Sequence, residues 1–333
     1  AQQGVAAPVA GVTASTQAQA VAQSLMGGER KAVLLGLAAE QHPQATGLLQ
    51  LANWIAEHTG AKLGFLGAAA NSVGAQLVGA MPAASGLHAG QMLSQPMKAL
   101  LLLNLEPELD AANAAAARAA LAGSGLVVAL TPFKDARVEN ADVLLPIAPF
   151  TETSGSFVNA EGRLQAFQGV VKPLGQTRPA WKVLRVLGNL LGLEGFNQET
   201  TEEVRSQALG DASNWTQRLS NACSGMPSVS NATSSAALER LAPVPIYSTD
   251  MLVRRAPSLQ STRDARALAA SLPTDVWQQL GLKEGDAVRV KQGSAVAVLK
   301  AHHEPSLASG TVQVPAGHAD TAALGALFGD IAV

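Results

Sequence analysis

The residues best equipped for chemistry lie between Phe150 and Gln165, where Glu152, Asn159, Glu161 and Arg163 are polar anchors in an apolar neighbourhood. Gly155 and Gly162 interrupt this run, and glycine there permits a positive φ or a close backbone approach. Such a stretch is an ordered loop held by its own hydrogen bonds, able to wall a ligand site or to act as a packing joint. A second cluster, Glu106, Glu108 and Asp110, follows the apolar run Leu100-Leu101-Leu102-Leu103. Carboxylates at the carboxyl end of a parallel strand can line a ligand crevice. They can equally be a solvated loop whose charge favours the start of the next helix.

Other chemistries find little support. Gly64-Phe65-Leu66-Gly67 runs on into Ala68-Ala69-Ala70 without the third glycine of a dinucleotide fingerprint, and no GxxxxGK[ST] phosphate loop is present. Of the six histidines (His42, His58, His88, His302, His303 and His318), none belongs to an HExxH pair. His302 and His303 are adjacent, so in a strand they face opposite sides. Structural or surface roles are expected for all six. Cys223 is the one cysteine, which excludes an internal disulfide, an iron–sulfur cluster and a Cys₄ zinc site. A thiol nucleophile there needs partners from distant sequence. No catalytic residue and no metal ligand set are assigned.

Composition narrows the classes further. The chain has 333 residues, 23 basic against 25 acidic side chains, 47% hydrophobic residues, 14% charged and 4% aromatic. Disorder needs low hydrophobicity and high charge, so it does not fit. Nucleic-acid binding needs surplus Lys and Arg or stacking rings, and both are missing. A chain of this mass folds to a surface of roughly 13,000 Å² from about 49,000 Å² extended, enough burial for two cores. Leu100–Leu103 is far short of the ~20 apolar residues of a membrane span. The start, Ala1-Gln2-Gln3-Gly4, lacks the basic and apolar regions of a signal peptide and reads as an entry point within a longer chain.

The elements that must position these residues follow a regular grammar after residue 23. Residues 1–23 read as a linker or loosely held arm. Ala32-Val33-Leu34-Leu35-Gly36-Leu37 is a strand, and Pro43 opens a helix through Leu48, Ala52 and Ala56 that Gly60 closes. Lys62–Leu66 is the next strand. The unit repeats with strand 99–103, a turn over Asn104–Asp110, an Ala-dense helix 111–121, and strands 126–130 and 141–146. Continuous apolar strands separated by helices predict a doubly wound parallel α/β sheet covered on both faces, a Rossmann-like domain over 24–205. Trp181–Leu191 is an amphipathic helix. Residues 206–236 are a Ser/Asn-rich linker. Over 237–333 short Val-rich strands at 286–291, 295–299 and 311–314 read as a small β-barrel.

Two parts of the chain match a known pattern. Ala141-Asp142-Val143-Leu144-Leu145-Pro146, followed by Glu152 to Gln165, resembles the A-D-[IV]-[VIL]-L-P strand and the E-x-x-G-[ST]-[FY]-x-N-x-[ED]-[GR]-R-x-Q stretch of the molybdopterin oxidoreductase superfamily. Gly64 to Gly74, Leu103-Asn104-Leu105-Glu106-Pro107-Glu108, Val171-Lys172-Pro173-Leu174-Gly175 and Arg178-Pro179-Ala180-Trp181-Lys182-Val183-Leu184 resemble one branch of it. That branch is the 75 kDa-type iron–sulfur subunit of bacterial NADH-quinone oxidoreductase, respiratory complex I. Leu280–Asp286 and Val314-Pro315-Ala316-Gly317-His318 resemble the superfamily's C-terminal pterin-binding barrel, of double-psi type. The resemblance spans roughly residues 24–330.

This resemblance implies the C-terminal part of an electron-transfer subunit whose iron–sulfur clusters lie upstream. It also implies a vestigial pterin-site-like loop set: Asn104, Glu106, Pro107, Glu152, Gly155, Asn159, Glu161, Gly162 and Arg163. Active members complete the molybdenum shell with a side chain from a region upstream of this one. Where redox members tend to carry a D-x-x-x-T-E-T type loop, this chain has Thr131-Pro132-Phe133-Lys134-Asp135-Ala136-Arg137. No cofactor is therefore expected here, and the job implied is packing against other hydrophilic-arm subunits on the cytoplasmic side of the bacterial inner membrane. No nucleic acid and no direct membrane insertion are expected. Two alternatives stand beside it: a fragment of an active molybdenum or tungsten–pterin oxidoreductase, and a nucleotide- or small-molecule-binding module using the crevice near Asn104 and Glu106.

Overall fold

The computed structural model describes residues 8–9, 11–135, 138–210, 215–223, 225 and 237–333. The stretch read as an arm carries helix α1 (Thr16–Gly27), started by Ser15, whose side chain accepts from Ala18 N at 3.1 Å. Strand β1 (Ala32–Leu35) is shorter than its apolar run, because Gly36 already turns the chain. Helix α2 (Ala45–Thr59) ends where the pattern places it. Gly60 takes φ 71°, and its N–H closes on Ala56 O at 2.8 Å. Strand β2 (Lys62–Phe65) then pairs parallel with β1, Ala32 opposite Lys62 and Leu35 opposite Phe65. The short helix α3 (Ser72–Leu77) follows.

A second parallel ladder begins at β3 (Leu100–Leu103). The single turn α4 (Pro107–Asp110) leads to α5 (Ala114–Gly123), which starts three residues later than propensity alone suggests. Asn113 sets that start, its side chain accepting from Ala116 N at 3.0 Å. Strands β4 (Val127–Thr131) and β5 (Val143–Pro146) complete a three-stranded sheet in the order β3-β4-β5. Its core is Leu100, Leu102, Leu121, Val127 and Ala129. Leu101 and Leu103 on the opposite face of β3 are exposed, so the cover is one-sided along that edge. The predicted parallel strands thus fall into two ladders, of two and three strands.

The polar loop between β6 (Gly155–Val158) and β7 (Leu164–Phe167) is a two-stranded hairpin. Beyond it come α6 (Ala180–Leu190) and α7 (Thr201–Leu209). Most of the 206–236 linker lies outside the described residues. The C-terminal stretch holds β8 (Leu238–Leu241), α8 (Met251–Arg254), β9 (Ala269–Leu272), α9 (Thr274–Leu280), β10 (Ala287–Gln292), β11 (Ala295–His303), β12 (Thr311–Gln313) and β13 (Phe328–Ile331). These strands form one mixed sheet in the order β10-β11-β9-β12-β8-β13. The sheet curls until its edges meet: Lys291 N donates to Ala332 O at 2.8 Å, and Ala332 N to Lys291 O at 2.9 Å. Its inner face is Ala270, Leu272, Val288, Val290, Leu299, Val312, Val314 and Leu324, supplied by the period-2 alternation of the strands.

By contacts the chain forms two compact units. One comprises residues 1–80, 156–166 and 204–233; the other comprises 81–155, 167–203 and 234–333. The first is centred on Leu77, Val158 and Leu209. The second holds the three-stranded parallel sheet together with the curled sheet. This grouping divides the chain differently from the 24–205 and 237–333 blocks expected from composition.

Candidate functional site

In the second unit the carboxyl end of β3 meets α8. Asn104 leaves the strand at φ 53°, a left-handed conformation in which Asn is several-fold enriched. That turn aims Glu106 inward, and Pro107 behind it opens α4 at a position where its missing N–H costs nothing. Glu106 is 2% exposed, and its carboxylate binds two guanidinium groups. Arg254 Nη1 donates to Oε2 at 2.8 Å, and Arg255 Nη2 donates to Oε1. The Arg254 and Arg255 side chains are 6% and 17% exposed.

The same arginines reach further carboxylates. Arg254 Nη2 donates to Asp110, and its Nε to Ser248 O at 2.9 Å. Arg255 binds Asp135 through Nε at 3.0 Å and Nη2 at 2.6 Å, and lies 4.4 Å above the Phe133 ring. Burial works against the Arg255 cation, but Glu106 and Asp135 outweigh it and hold its pKa above the ordinary arginine value. Asp110 also accepts from Glu106 N at 2.7 Å, and Asp250 caps α8 through Leu252 N and Val253 N. The network therefore pins the turns after β3 and β4 to one short helix.

Beside it opens a cleft of about 350 Å³, lined by Glu106, Glu108, Arg118, Tyr247, Arg254 and His318 among others. Arg118 is paired with Glu108, with bonds of 3.1 Å from Nε and Nη2. That hydrogen bond and the nearby charge raise its pKa. Both arginines of the cleft lining are thus already bound to carboxylates. His318 accepts from Asp320 N at 3.2 Å.

The other sequence-predicted residues work within their own loop or against the stretch just after it. Asn159 Oδ1 accepts from Glu161 N at 3.1 Å and Arg163 N at 2.8 Å, while Gly162 takes φ 79°. Glu152 Oε2 accepts from Leu174 N at 2.9 Å. Gly155 allows a close approach, since a Cβ there would sit 2.7 Å from Phe167 Cζ. The Glu161 and Arg163 side chains are exposed. Asn71 Oδ1 accepts from Val158 N at 2.9 Å, which ties the hairpin to the loop after β2.

The histidines are spent on local contacts. His42 Nδ1 accepts from Gln44 N, His58 meets Trp54 O at 2.7 Å, and His88 caps a turn through Gln91 N. His302 pairs with Glu284 at 2.7 Å, and His303 meets Thr274 at 3.1 Å. Among the described residues, no group of three or more His, Cys, Asp or Glu is arranged to hold a metal ion. No described helix is long and apolar enough to cross a membrane.

Two functional-looking features escaped sequence reasoning. The Arg254-Arg255 doublet sits behind Asp250 and the apolar Met251-Leu252-Val253, and only that doublet beside a cap hinted at a buried clamp. Arg240, 1% exposed, carries no such hint. Its guanidinium bonds Val314 O, Pro315 O, Ala326 O and Gln292 Oε1, and burial pushes its pKa down to about 10.

Comparison with known proteins shows what the chain is similar to. The chain is 36% identical over 140 residues to the G subunit of NADH-quinone oxidoreductase from Mycobacterium bovis, a match covering 39% of this chain and 17% of that protein. It is 30% identical over 122 residues to a putative formate dehydrogenase of Staphylococcus aureus, covering 37% and 12%. The matched stretch therefore spans less than a fifth of either relative. Acetylene hydratase from Pelobacter acetylenicus shares the fold, with TM-score 0.50 and 19% identity over 66% of this chain and 37% of that one. The sequence model of the molybdopterin oxidoreductase family matches residues 9–190, more than half of the chain. With its parallel α/β ladders and curled sheet, the chain belongs to the molybdopterin oxidoreductase family.

Proposed function

We propose that this chain is a cofactor-free, structural portion of the 75 kDa-type G subunit of a bacterial NADH-quinone oxidoreductase. Its role is to pack within the peripheral arm, on the cytoplasmic side of the inner membrane, against other subunits of that arm. Electron transfer from NADH to quinone would run through iron–sulfur clusters outside this stretch, whose one cysteine cannot hold a cluster. The curled C-terminal sheet is, on this reading, a double-psi-like barrel descended from a pterin-binding one.

The observation that carries the reading is the state of the arginines at the cleft. A pterin dinucleotide brings phosphates, which need uncommitted cations or N–H donors. Here Arg254 is held by Glu106 and Asp110, and Arg118 by Glu108, so an incoming phosphate would meet carboxylates first. These residues do not fit that group, and no chemical step is assigned to it. The test is metal and pterin analysis of the native polypeptide, by mass spectrometry for molybdenum and tungsten and by fluorescence of oxidised pterin. Amounts far below one per chain are expected. Stoichiometric metal with pterin would reject the reading and favour an active molybdenum or tungsten oxidoreductase.

A further inference from the structure

The cleft beside the clamp turns charged ligands away. Its lining charges balance, Glu106 and Glu108 against Arg118 and Arg254, and each guanidinium is spent on a carboxylate. The charged groups that touch this lining from behind are Asp110 on Arg254, Asp320 at 3.7 Å from His318 Nδ1, and Arg255, itself held by Glu106 and Asp135. An anion therefore meets cations already neutralised, and an amine meets lining carboxylates already paired.

What the cleft still offers is neutral. Among the described residues, the Tyr247 hydroxyl, Ser248 Oγ and Gln260 Oε1 make no hydrogen bond within the chain. His318 Nδ1 accepts from Asp320 N, which puts the hydrogen of the neutral ring on Nε2. The set is thus one acceptor, one donor and two hydroxyls that act as both. It is also held in place. Gln260 Nε2 donates to Tyr247 O and Val253 O at 2.8 Å each, and Arg254 Nε donates to Ser248 O at 2.9 Å. Groups fixed before binding cost little to order when a ligand arrives.

We infer that this cleft binds an uncharged, polyhydroxylated ring of small-sugar size. Its volume of about 350 Å³ suits such a ligand and lies within the ~300–1,000 Å³ of small-molecule sites. Each ring hydroxyl gives and accepts at once, so a sugar satisfies all four groups, while its C–H face lies on the Tyr247 ring. A flat base or pterin gains most from stacking between aromatic rings. Among the described lining residues, Tyr247 has no Phe or Trp to face it. The inference stands on the cleft alone and not on the packing role proposed above.

The experiment places a fluorotyrosine at Tyr247 in the native polypeptide and follows its fluorine NMR signal during titration with maltose, cellobiose and sucrose. At least one of the three should shift the signal saturably. Ser248→Ala removes a hydroxyl with no partner in the chain, so the unfolding temperature should hold. Its dissociation constant for that sugar should rise roughly three- to tenfold, as for one lost hydrogen bond. A signal unmoved by all three sugars, a stronger response to pyrophosphate, spermidine or adenosine, or an unchanged constant in Ser248→Ala overturns the inference. Metal and pterin analysis is read independently, so either idea can fail alone.

Discussion

Replacing Glu106 with Gln isolates the charge at the centre of the clamp while keeping its shape. Two guanidinium–carboxylate contacts are lost as ion pairs. At about 4 Å between charges and an effective permittivity of about 20, each is worth about 4 kcal/mol gross. Removing the carboxylate from water costs several kcal/mol in return. Asp110 and Asp135 still face Arg254 and Arg255, so the buried cations are not left alone. The net loss belongs at the lower end of the range for a broken buried pair, about 3 kcal/mol. For a unit of 150–250 residues this lowers Tm by roughly 6–12 °C. Urea unfolding and calorimetry both read it, with Glu108→Gln as the control. The Glu108–Arg118 pair is largely exposed and should be worth about 0–1 kcal/mol. Added salt should erase the difference at Glu108 and leave most of that at Glu106. If Glu106→Gln costs no more than Glu108→Gln, the clamp does not hold the turns after β3 and β4 to α8.

Three further outcomes are expected. Arg240→Met keeps volume but strands the carbonyls of Val314, Pro315 and Ala326, and should cost about 3 kcal/mol or more in urea unfolding; a loss under about 1 kcal/mol would mean that the buried charge offsets its own bonds. Gly155→Ala drives a methyl into the Phe167 ring and should destabilise by about 1–3 kcal/mol, with recovery in the Gly155→Ala/Phe167→Leu double variant; equal stability of single and double variants would refute the contact. The hydrogen bond to His302 holds the Glu284 carboxyl below its ordinary 4.5. The stability this adds is present above pH 4.5 and is lost as pH falls through the lower folded value. His302→Ala should return the Glu284 midpoint, followed by NMR, toward 4.5, and an unmoved midpoint would contradict the assignment.

Much of the scaffold was legible because it rests on local rules. The end of α2 at Gly60 and the positive φ of Gly162 follow from glycine's freedom, and the strands of the C-terminal sheet follow from alternation. Helix α1 shows where local rules were underused: Ser15 is a good cap, and the Ala/Gln run behind it favours helix despite burying no residue. The Glu106 cluster was visible, but its state was not. Whether those acids faced water, a ligand or arginine depended on residues nearly 150 positions away. Arg240 was illegible for the same reason, since its acceptors come from three later segments.

The meeting of Lys291 with Ala332 makes that bridge a fastener. A sheet whose borders are joined at that point leaves less open lip onto which a stray strand could zip, which helps protect it from runaway stacking. Losing the Ala332 N–H, as in Ala332→Pro, would unpick that seam and leave the flank of β10 more open to strangers.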